Sequence, residues 1–228
     1  MDPFLTAISG LAWTIVYINA IWIGFRHKTY AIPMAALALN FAWESTYAVH
    51  DLTASVSPQG LVDLVWALAD VVIVYTFFTF GRAEFPRFVT RPMFTAWGVL
   101  VFGASYAVQW LFMAQFGVND AARYSAFLQN LLMSGLFIAM LVARRGLRGQ
   151  SLTIAIAKWL GTLAPTILIG ALGNSPFILG IGIMCSVFDV AYIALVVWVK
   201  THPNALAEAG TPTLAPAAGT AAQQVTPA

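Results

Sequence analysis

Charge is what this chain has least of. Charged residues make up 9% of its 228 residues, against about 25% in an average soluble domain. Apolar residues make up 60%, and the mean hydropathy is +0.80. These proportions exclude an ordinary soluble domain and predict a polytopic integral membrane protein with one membrane domain. The net charge of +2 gives no reason to expect a nucleic-acid partner.

Cysteine and the common catalytic and cofactor motifs are also missing. The single Cys185 excludes an intramolecular disulfide, and no Cys/His cluster suggests zinc. A glycine-rich phosphate loop, HExxH, GxSxG, DxDD and the magnesium-binding DDxxD are all absent. A retinal Schiff base is excluded because the last apolar run has no lysine before Lys200. We therefore expect neither a metal ion nor a cofactor.

What the chain does contain is apolar runs of about 20 residues, the length that crosses a bilayer as a helix. Seven such runs cover roughly residues 4–25, 30–49, 60–80, 93–115, 122–143, 151–172 and 177–199. The first is too long for a signal peptide. The sequence predicts an all-α, seven-transmembrane-helix bundle over residues 1–200. Residues 201–228 are predicted to be a disordered cytoplasmic tail, because their Ala, Thr and Pro cannot bury enough apolar surface.

Lysine and arginine indicate the orientation of these helices, since they concentrate in cytoplasmic loops. They occur in the first, third and fifth predicted loops and at Lys200. The second and sixth loops have none, and the fourth has only the nearby Arg123. We therefore predict an N-terminus outside and a C-terminus in the cytoplasm. Lys158, inside the sixth predicted helix, is expected to extend its ammonium toward the cytoplasmic surface.

Two carboxylic acids, Glu44 and Asp189, lie well inside the second and seventh predicted helices. A charge at mid-bilayer costs roughly 2.5–3.5 kcal/mol on insertion scales, and no cation is evident at their depth. We therefore interpret both as functional groups that meet across the bundle, directly or through one water. The structural alternative is a buried pair that shares a proton or bonds to neutral donors.

Other polar and aromatic side chains fall at a similar depth and on shared helical faces. For example, Asp63, Trp66 and Asp70 are spaced i, i+3, i+7 and share one stripe. Ordinary roles are open to several of them, such as an interhelical hydrogen bond for Asn40. The residues predicted to line a pocket are Asn40, Trp43, Tyr47, Asp63, Trp66, Asp70, Tyr106, Gln109, Asn130 and Tyr192.

The run Asn40-Phe-Ala-Trp43-Glu44, together with Asp189 in the last helix, resembles the small integral-membrane terpene cyclases of meroterpenoid biosynthesis. These are known from fungi, with bacterial relatives that cyclise prenylated indole compounds. The resemblance covers the seven predicted helices but not the tail, and it implies that Glu44 and Asp189 are the essential acids. Because the Ala-rich tail is typical of a bacterial protein, we expect a bacterial cell membrane and the indole type of substrate.

The resemblance implies a metal-independent cyclase that protonates the terminal alkene or epoxide of a prenylated substrate, for which a farnesylated indole compound is the expected example. The chemistry is physically reasonable. A carboxyl group in an apolar site keeps its proton, and the Asn40 amide can stabilise the resulting anion. Aromatic faces such as that of Trp43 can stabilise a carbocation. A lipophilic prenylated small molecule and the lipid bilayer are then the expected partners.

Two other functions remain open from the sequence. In a small proton-coupled transporter of a lipophilic molecule, the acids would form a proton relay, and Pro33 and Pro165 would mark broken helices. The almost purely apolar inner halves of the second, third, fifth and seventh predicted helices favour a closed pocket instead. A non-catalytic lipid- or pigment-binding subunit would tolerate the loss of either acid.

Overall fold

Six α-helices make up the part of the chain that this computed structural model describes, residues 2–54 and 57–202. A 3₁₀ turn at Gly81–Glu84 follows α3, and a π-helical segment at Thr166–Ala171 continues α5. Thr201 still belongs to α6, and the predicted disordered tail lies outside the described residues from position 203 onward. The helices are α1 (Pro3–His27), α2 (Met34–Ala54), α3 (Pro58–Phe80), α4 (Arg91–Arg144), α5 (Leu152–Pro165) and α6 (Pro176–Thr201).

Five of these helical segments are long and apolar enough to cross a membrane: α1, α3 with its 3₁₀ turn, α4, α5 with its π-helical segment, and α6. The remaining helix, α2, carries the acids Glu44 and Asp51. Large apolar side chains such as Val65, Val99 and Trp110 are exposed and do not line the cavity of the bundle. Lipid can cover such side chains, whereas water would leave them as large exposed apolar patches. The chain is an all-α membrane protein.

The fourth and fifth predicted helices follow each other in α4 without the predicted loop of several residues. The 54 residues of α4 have non-helical backbone angles at Gly117 (φ 71°, ψ 164°), where one helical half ends and the next begins. Glycine adopts this conformation readily because it has no Cβ. Gln109 Nε2 donates to Gln129 Oε1 at 3.3 Å, although a straight helix would rise about 30 Å over that separation. α4 therefore turns back on itself at Gly117.

Side-chain caps fix where several helices begin. Asp2, Ser57, Thr90 and Ser151 each accept a hydrogen bond from a backbone N–H in the first turn of the following helix. Proline stands in the first turn of α1, α3, α4 and α6, where its missing N–H breaks no helical bond. Because these signals are local, the predicted helix boundaries lie within a few residues of the observed ones.

Two apolar clusters form the core of the described residues. The larger one extends from mid-bundle residues such as Val16 and Ile73 to Phe94 and Val199, near the helix ends that adjoin the Lys- and Arg-bearing loops. The smaller one, which consists of Phe127, Ile178, Ile181 and Cys185, lies toward the opposite end. That end, toward the N-terminus of α1, also contains the candidate site.

Candidate active site

A cavity of about 1170 Å³ lies in the half of the bundle that contains the start of α1. Its wall is formed by the first half of α1, α2 from Asn40 onward, the first half of α3, α4 just after Gly117, and the end of α5 with the π-helical segment. All of these parts meet at one end of the bundle. Polar side chains stand among the lining residues nearest the helix ends, and we call them the polar mouth: Asp2, Asp51, Gln59, Asn119 and Arg123.

Half of the site residues predicted from the sequence line this cavity. The others are placed elsewhere because a shared depth does not determine which face of a helix a side chain occupies. The lining residues are Asn40, Trp43, Glu44, Tyr47, Asp63 and Trp66. The predicted residues outside the lining are Asp70, Tyr106, Gln109, Asn130, Asp189 and Tyr192.

Glu44 lies in the cavity wall at the centre of a buried hydrogen-bond network. The Tyr17 hydroxyl donates to Glu44 Oε1, and the Asn40 amide donates to the same oxygen at 3.0 Å. The Asn40 nitrogen also lies 2.6 Å from the Tyr17 hydroxyl and 2.9 Å from Asp70 Oδ2. One amide thus holds two carboxyl groups from different helices, with Asp70 behind Asn40 rather than in the cavity wall.

These two carboxyl groups have no salt-bridge partner in the part of the chain that the structure describes. Among residues 2–54 and 57–202, no Lys, Arg or His forms a salt bridge with Glu44 or Asp70. Both acids are almost completely buried, with exposures of 3% and 0%. Two unpaired charges side by side in such a site would be very costly, so at least one of the two carboxyls holds a proton. Glu44 Oε2 has no hydrogen-bond partner within the described part of the chain.

Aromatic rings flank Glu44 and are held in place by polar contacts at their edges. Trp43 stacks at an angle on Tyr47, with ring centroids 5.0 Å apart, and its Nε1 donates to the Ala122 carbonyl at 2.9 Å. Trp66 stacks on Tyr17 with centroids 5.9 Å apart. The cavity therefore combines two buried acids, Glu44 and Asp63, with several π-faces. Asp63 lies nearer the start of α3 and accepts a hydrogen bond from Gln59 Nε2 at 2.7 Å.

Asp189 is in a different network, contrary to the prediction that it meets Glu44. Its two oxygens accept from Lys158 Nζ at 2.8 and 3.0 Å. The same ammonium donates to Ser134 Oγ at 2.7 Å. The expectation that Lys158 reaches the cytoplasmic surface is wrong, because its ammonium finds three acceptors inside the bundle. The assumption that no cation lies near Asp189 is wrong for the same reason.

The remaining predicted residues have structural partners. Tyr106 shares a hydrogen bond of 2.7 Å with Ser45. Asn130 donates to the Ala126 carbonyl within α4, and Tyr192 donates to Gln150 at 2.8 Å. Together with the Gln109–Gln129 bond, these contacts join helices to one another or stabilise α4 locally. Within the described part of the chain, Gln109 Oε1 and Asn130 Oδ1 are nevertheless buried without a hydrogen-bond partner.

Sequence reasoning missed two residues that matter to the site, Tyr17 and Lys158. Tyr17 stands in an apolar run of α1, where a tyrosine looks like any core aromatic residue. Lys158 was recognised as unusual but was assigned to the membrane surface. Its burial could have been suspected from Asp189, since a buried acid commonly has a buried cation beside it.

Comparison with known proteins identifies the family. The chain is 28% identical over 195 residues to the terpene cyclase pyr4 of Aspergillus fumigatus, covering 81% of this chain and 80% of that protein. It is 30% identical over 169 residues to the terpene cyclase ascF of Acremonium egyptiacum, covering 68% of this chain and 61% of the relative. It is 27% identical over 164 residues to the asnovolin H synthase nvfL of Aspergillus novofumigatus, covering 70% and 65%.

These relatives are fungal, so they give no support to the expected bacterial membrane. No solved structure matches the chain. The family model described as Pyr4-like transmembrane terpene cyclases matches residues 1–202, which are all of the chain except the predicted tail. The chain belongs to the Pyr4-like transmembrane terpene cyclases.

Proposed function

We propose that this membrane terpene cyclase protonates the terminal alkene or epoxide of a prenylated substrate with Glu44, and that its cavity guides the resulting carbocation without a metal. The observation that carries the proposal is a buried carboxyl group in the cavity wall that has two hydrogen-bond donors on one oxygen and, among the described residues, no salt-bridge partner. Such a group can hold a proton and donate it, because the two donors stabilise the carboxylate that remains.

The first step transfers the proton of Glu44 to the substrate. The O–H bond of the acid breaks as a C–H bond forms on the alkene, or as an epoxide oxygen takes the proton and its C–O bond opens. The positive charge moves to a substrate carbon, and Glu44 becomes a carboxylate. The Tyr17 hydroxyl and the Asn40 amide then donate to a charged oxygen, which makes those hydrogen bonds stronger than before transfer. An epoxide is the easier acceptor because an alkene is a very weak base.

The carbocation then needs a dry cavity and negative π-faces. Trp43 and Trp66 line the cavity near Glu44, and each cation–π contact contributes on the order of 0.5–2 kcal/mol. Cyclisation ends when the last carbocation loses a proton to a base in the cavity. Because every atom of the substrate is kept, the overall reaction is an isomerisation.

The shape of the cavity suggests how the substrate lies. The polar mouth is at the helix ends, whereas Glu44 and Trp66 lie deeper in the bundle. An amphiphilic molecule would place its polar group at the mouth and the end of its prenyl chain beside Glu44. This orientation suits a prenylated compound with a polar head, for which a farnesylated indole compound remains our working example.

Two finer features complete the proposal. First, the reaction uses no metal, since the described residues offer no group of three or more His, Cys, Asp or Glu that could hold one.

Second, the chain crosses the membrane seven times, with α2 and both halves of α4 as separate spans. The Gln109–Gln129 bond, which joins the two halves of α4, supports this count. The Lys and Arg distribution supports an outside N-terminus, which puts the polar mouth on the non-cytoplasmic side.

Turnover of a farnesylated indole compound by membranes that contain this chain tests the proposal. Glu44→Gln keeps the shape of the side chain but removes its transferable proton, so turnover should fall by at least about 10²-fold. Glu84→Gln, measured per amount of folded protein, is the matched control, because Glu84 pairs with Arg144 and Arg148 at the other end of the bundle and does not line the cavity. Normal turnover by a folded Glu44→Gln protein would exclude Glu44 as the donor.

A further inference from the structure

Lys158 and Asp189 form a buried ion pair that the proposed chemistry does not use. We infer that Asp189 is a positioning residue rather than a second acid: it holds Lys158, and the pair fixes α5, and with it one wall of the cavity, against α6 and α4. Only the turnover assay that tests this inference rests on the proposed function. Its other readout, protein stability, is independent of any substrate.

The ion pair is fully satisfied inside the bundle. An ammonium has three N–H donors, and Lys158 Nζ has three acceptors: Ser134 Oγ at 2.7 Å and the two Asp189 oxygens at 2.8 and 3.0 Å. The exposures of Lys158 and Asp189 are 0% and 1%. One ammonium therefore joins α4, α5 and α6.

The position of α5 is coupled to the cavity wall through α1. One turn after Lys158, the Gly161 carbonyl accepts from Ser9 Oγ at 2.8 Å. A Cβ at Gly161 would lie only 2.9 Å from the Trp13 ring, so α1 and α5 touch closely there. Ser9 and Trp13 both line the cavity. A shift of α5 at Lys158 would therefore move lining residues of α1.

The same helix continues directly into the cavity wall. Pro165 ends α5, and the π-helical segment that follows contributes Leu168 and Ile169 to the lining. This segment packs closely on α6: a Cβ at Gly170 would lie 2.8 Å from the Leu179 Cα. Asp189 is further along α6, so the ion pair sets how α6 and the π-helical segment align.

The geometry also argues against proton donation by Asp189. Both of its oxygens already accept hydrogen bonds from an ammonium, and a carboxylate in that state has no proton to give. Asp189 is not among the residues that line the cavity. A substrate in the cavity would meet Glu44 without touching Asp189.

Neutral replacement of the whole pair separates a positioning role from a chemical one. Asp189→Leu leaves an unpaired ammonium and Lys158→Met leaves an unpaired carboxylate, whereas the double variant leaves neither. Breaking a buried ion pair is strongly destabilising, but replacing both partners with apolar residues is often neutral. We expect each single variant to lose at least about tenfold in turnover and to unfold at a lower temperature. In the double variant, the unfolding temperature should return toward that of the unchanged protein, and turnover should lie within about threefold of it.

A variant that keeps the charge at position 189 distinguishes an effect on the shape of the cavity from a loss of folded protein. Asp189→Glu keeps the ion pair but lengthens the side chain by one methylene, which pushes α5 away from α6. Its folded protein should give an altered ratio of fully cyclised to incompletely cyclised products. A loss of folded protein alone would lower the yield without changing that ratio.

Several results would overturn the inference. A double variant that is as stable as the unchanged protein but remains inactive would give Asp189 a role in the chemistry. If the double variant lowers the unfolding temperature by the sum of the two single losses, Lys158 and Asp189 are not coupled. This result would count whether or not any substrate is turned over. An unchanged product ratio in Asp189→Glu would exclude control of the cavity wall. If the unchanged protein shows no turnover, the proposed function fails, while the stability comparison still decides on the pair.

Discussion

Replacing Tyr17 with phenylalanine should slow cyclisation although Glu44, the proposed proton donor, stays in place. The hydroxyl of Tyr17 donates to Glu44 Oε1 and accepts from Asn40. Tyr17→Phe removes one donor to Glu44 but keeps the ring that stacks on Trp66. The acid itself remains, and so does its bond from Asn40 at 3.0 Å.

The size of the effect follows from the change in charge on Glu44. A hydrogen bond between neutral groups contributes about 1 kcal/mol, and one to a charged group about 1.5–3 kcal/mol. The Tyr17 bond should thus stabilise the Glu44 anion by about 0.5–2 kcal/mol more than the neutral acid. Since 1.36 kcal/mol corresponds to a factor of ten in rate, we expect turnover to fall by about 2- to 30-fold.

The measurement is single-turnover cyclisation per amount of folded protein in detergent or vesicles. Tyr192→Phe is the matched control, because Tyr192 is an equally buried tyrosine whose hydroxyl donates to Gln150 away from the cavity. Its turnover should be unchanged. Tyr17→Phe with normal turnover would mean that Tyr17 does not stabilise the anion. A loss as large as that of Glu44→Gln would instead make Tyr17 the proton donor.

Three further predictions concern the metal, the topology and the tail. Chelation of divalent metal should leave turnover unchanged, and loss by chelator with recovery on adding magnesium would contradict the metal-free mechanism. Reporters fused after Gly149 and Lys200 should be cytoplasmic and one after Ser57 non-cytoplasmic; a cytoplasmic signal at Ser57 would contradict seven spans with the N-terminus outside. Deletion of residues 203–228 should leave turnover largely intact, since the family match ends at residue 202, and an inserted but inactive truncated protein would show that the tail is needed.

Helix positions could be predicted from the sequence because their causes are local. Apolar runs of membrane length, capping residues such as Ser57 and Ser151, and proline in first turns each act within a few residues. Glycine at position 117 also indicated a break. What the sequence did not indicate is that the break would be confined to this single residue within α4.

For the site, the sequence could predict which residues share a face of one helix, but not which helices face each other. Asn40 and Glu44 share a face of α2 because they are four residues apart, and both do line the cavity. Which acid faces Glu44 depends on how separate helices pack, and spacing within one helix carries no such information. That is why Asp70, rather than the expected Asp189, is the acid that Asn40 joins to Glu44, and why Lys158 was placed at the membrane surface.

The polar mouth has a consequence for the hydration of the substrate. Moving an amide or hydroxyl without a partner from water into an apolar site costs roughly 2–7 kcal/mol. A prenyl chain that passes from lipid into the cavity exchanges one apolar environment for another, at little cost. A head group that stays at Asp51, Gln59 and Asn119 can keep its water while only the hydrocarbon enters. For the proposed prenylated substrate, we therefore expect turnover to follow the amount of substrate in the adjoining leaflet rather than its concentration in water.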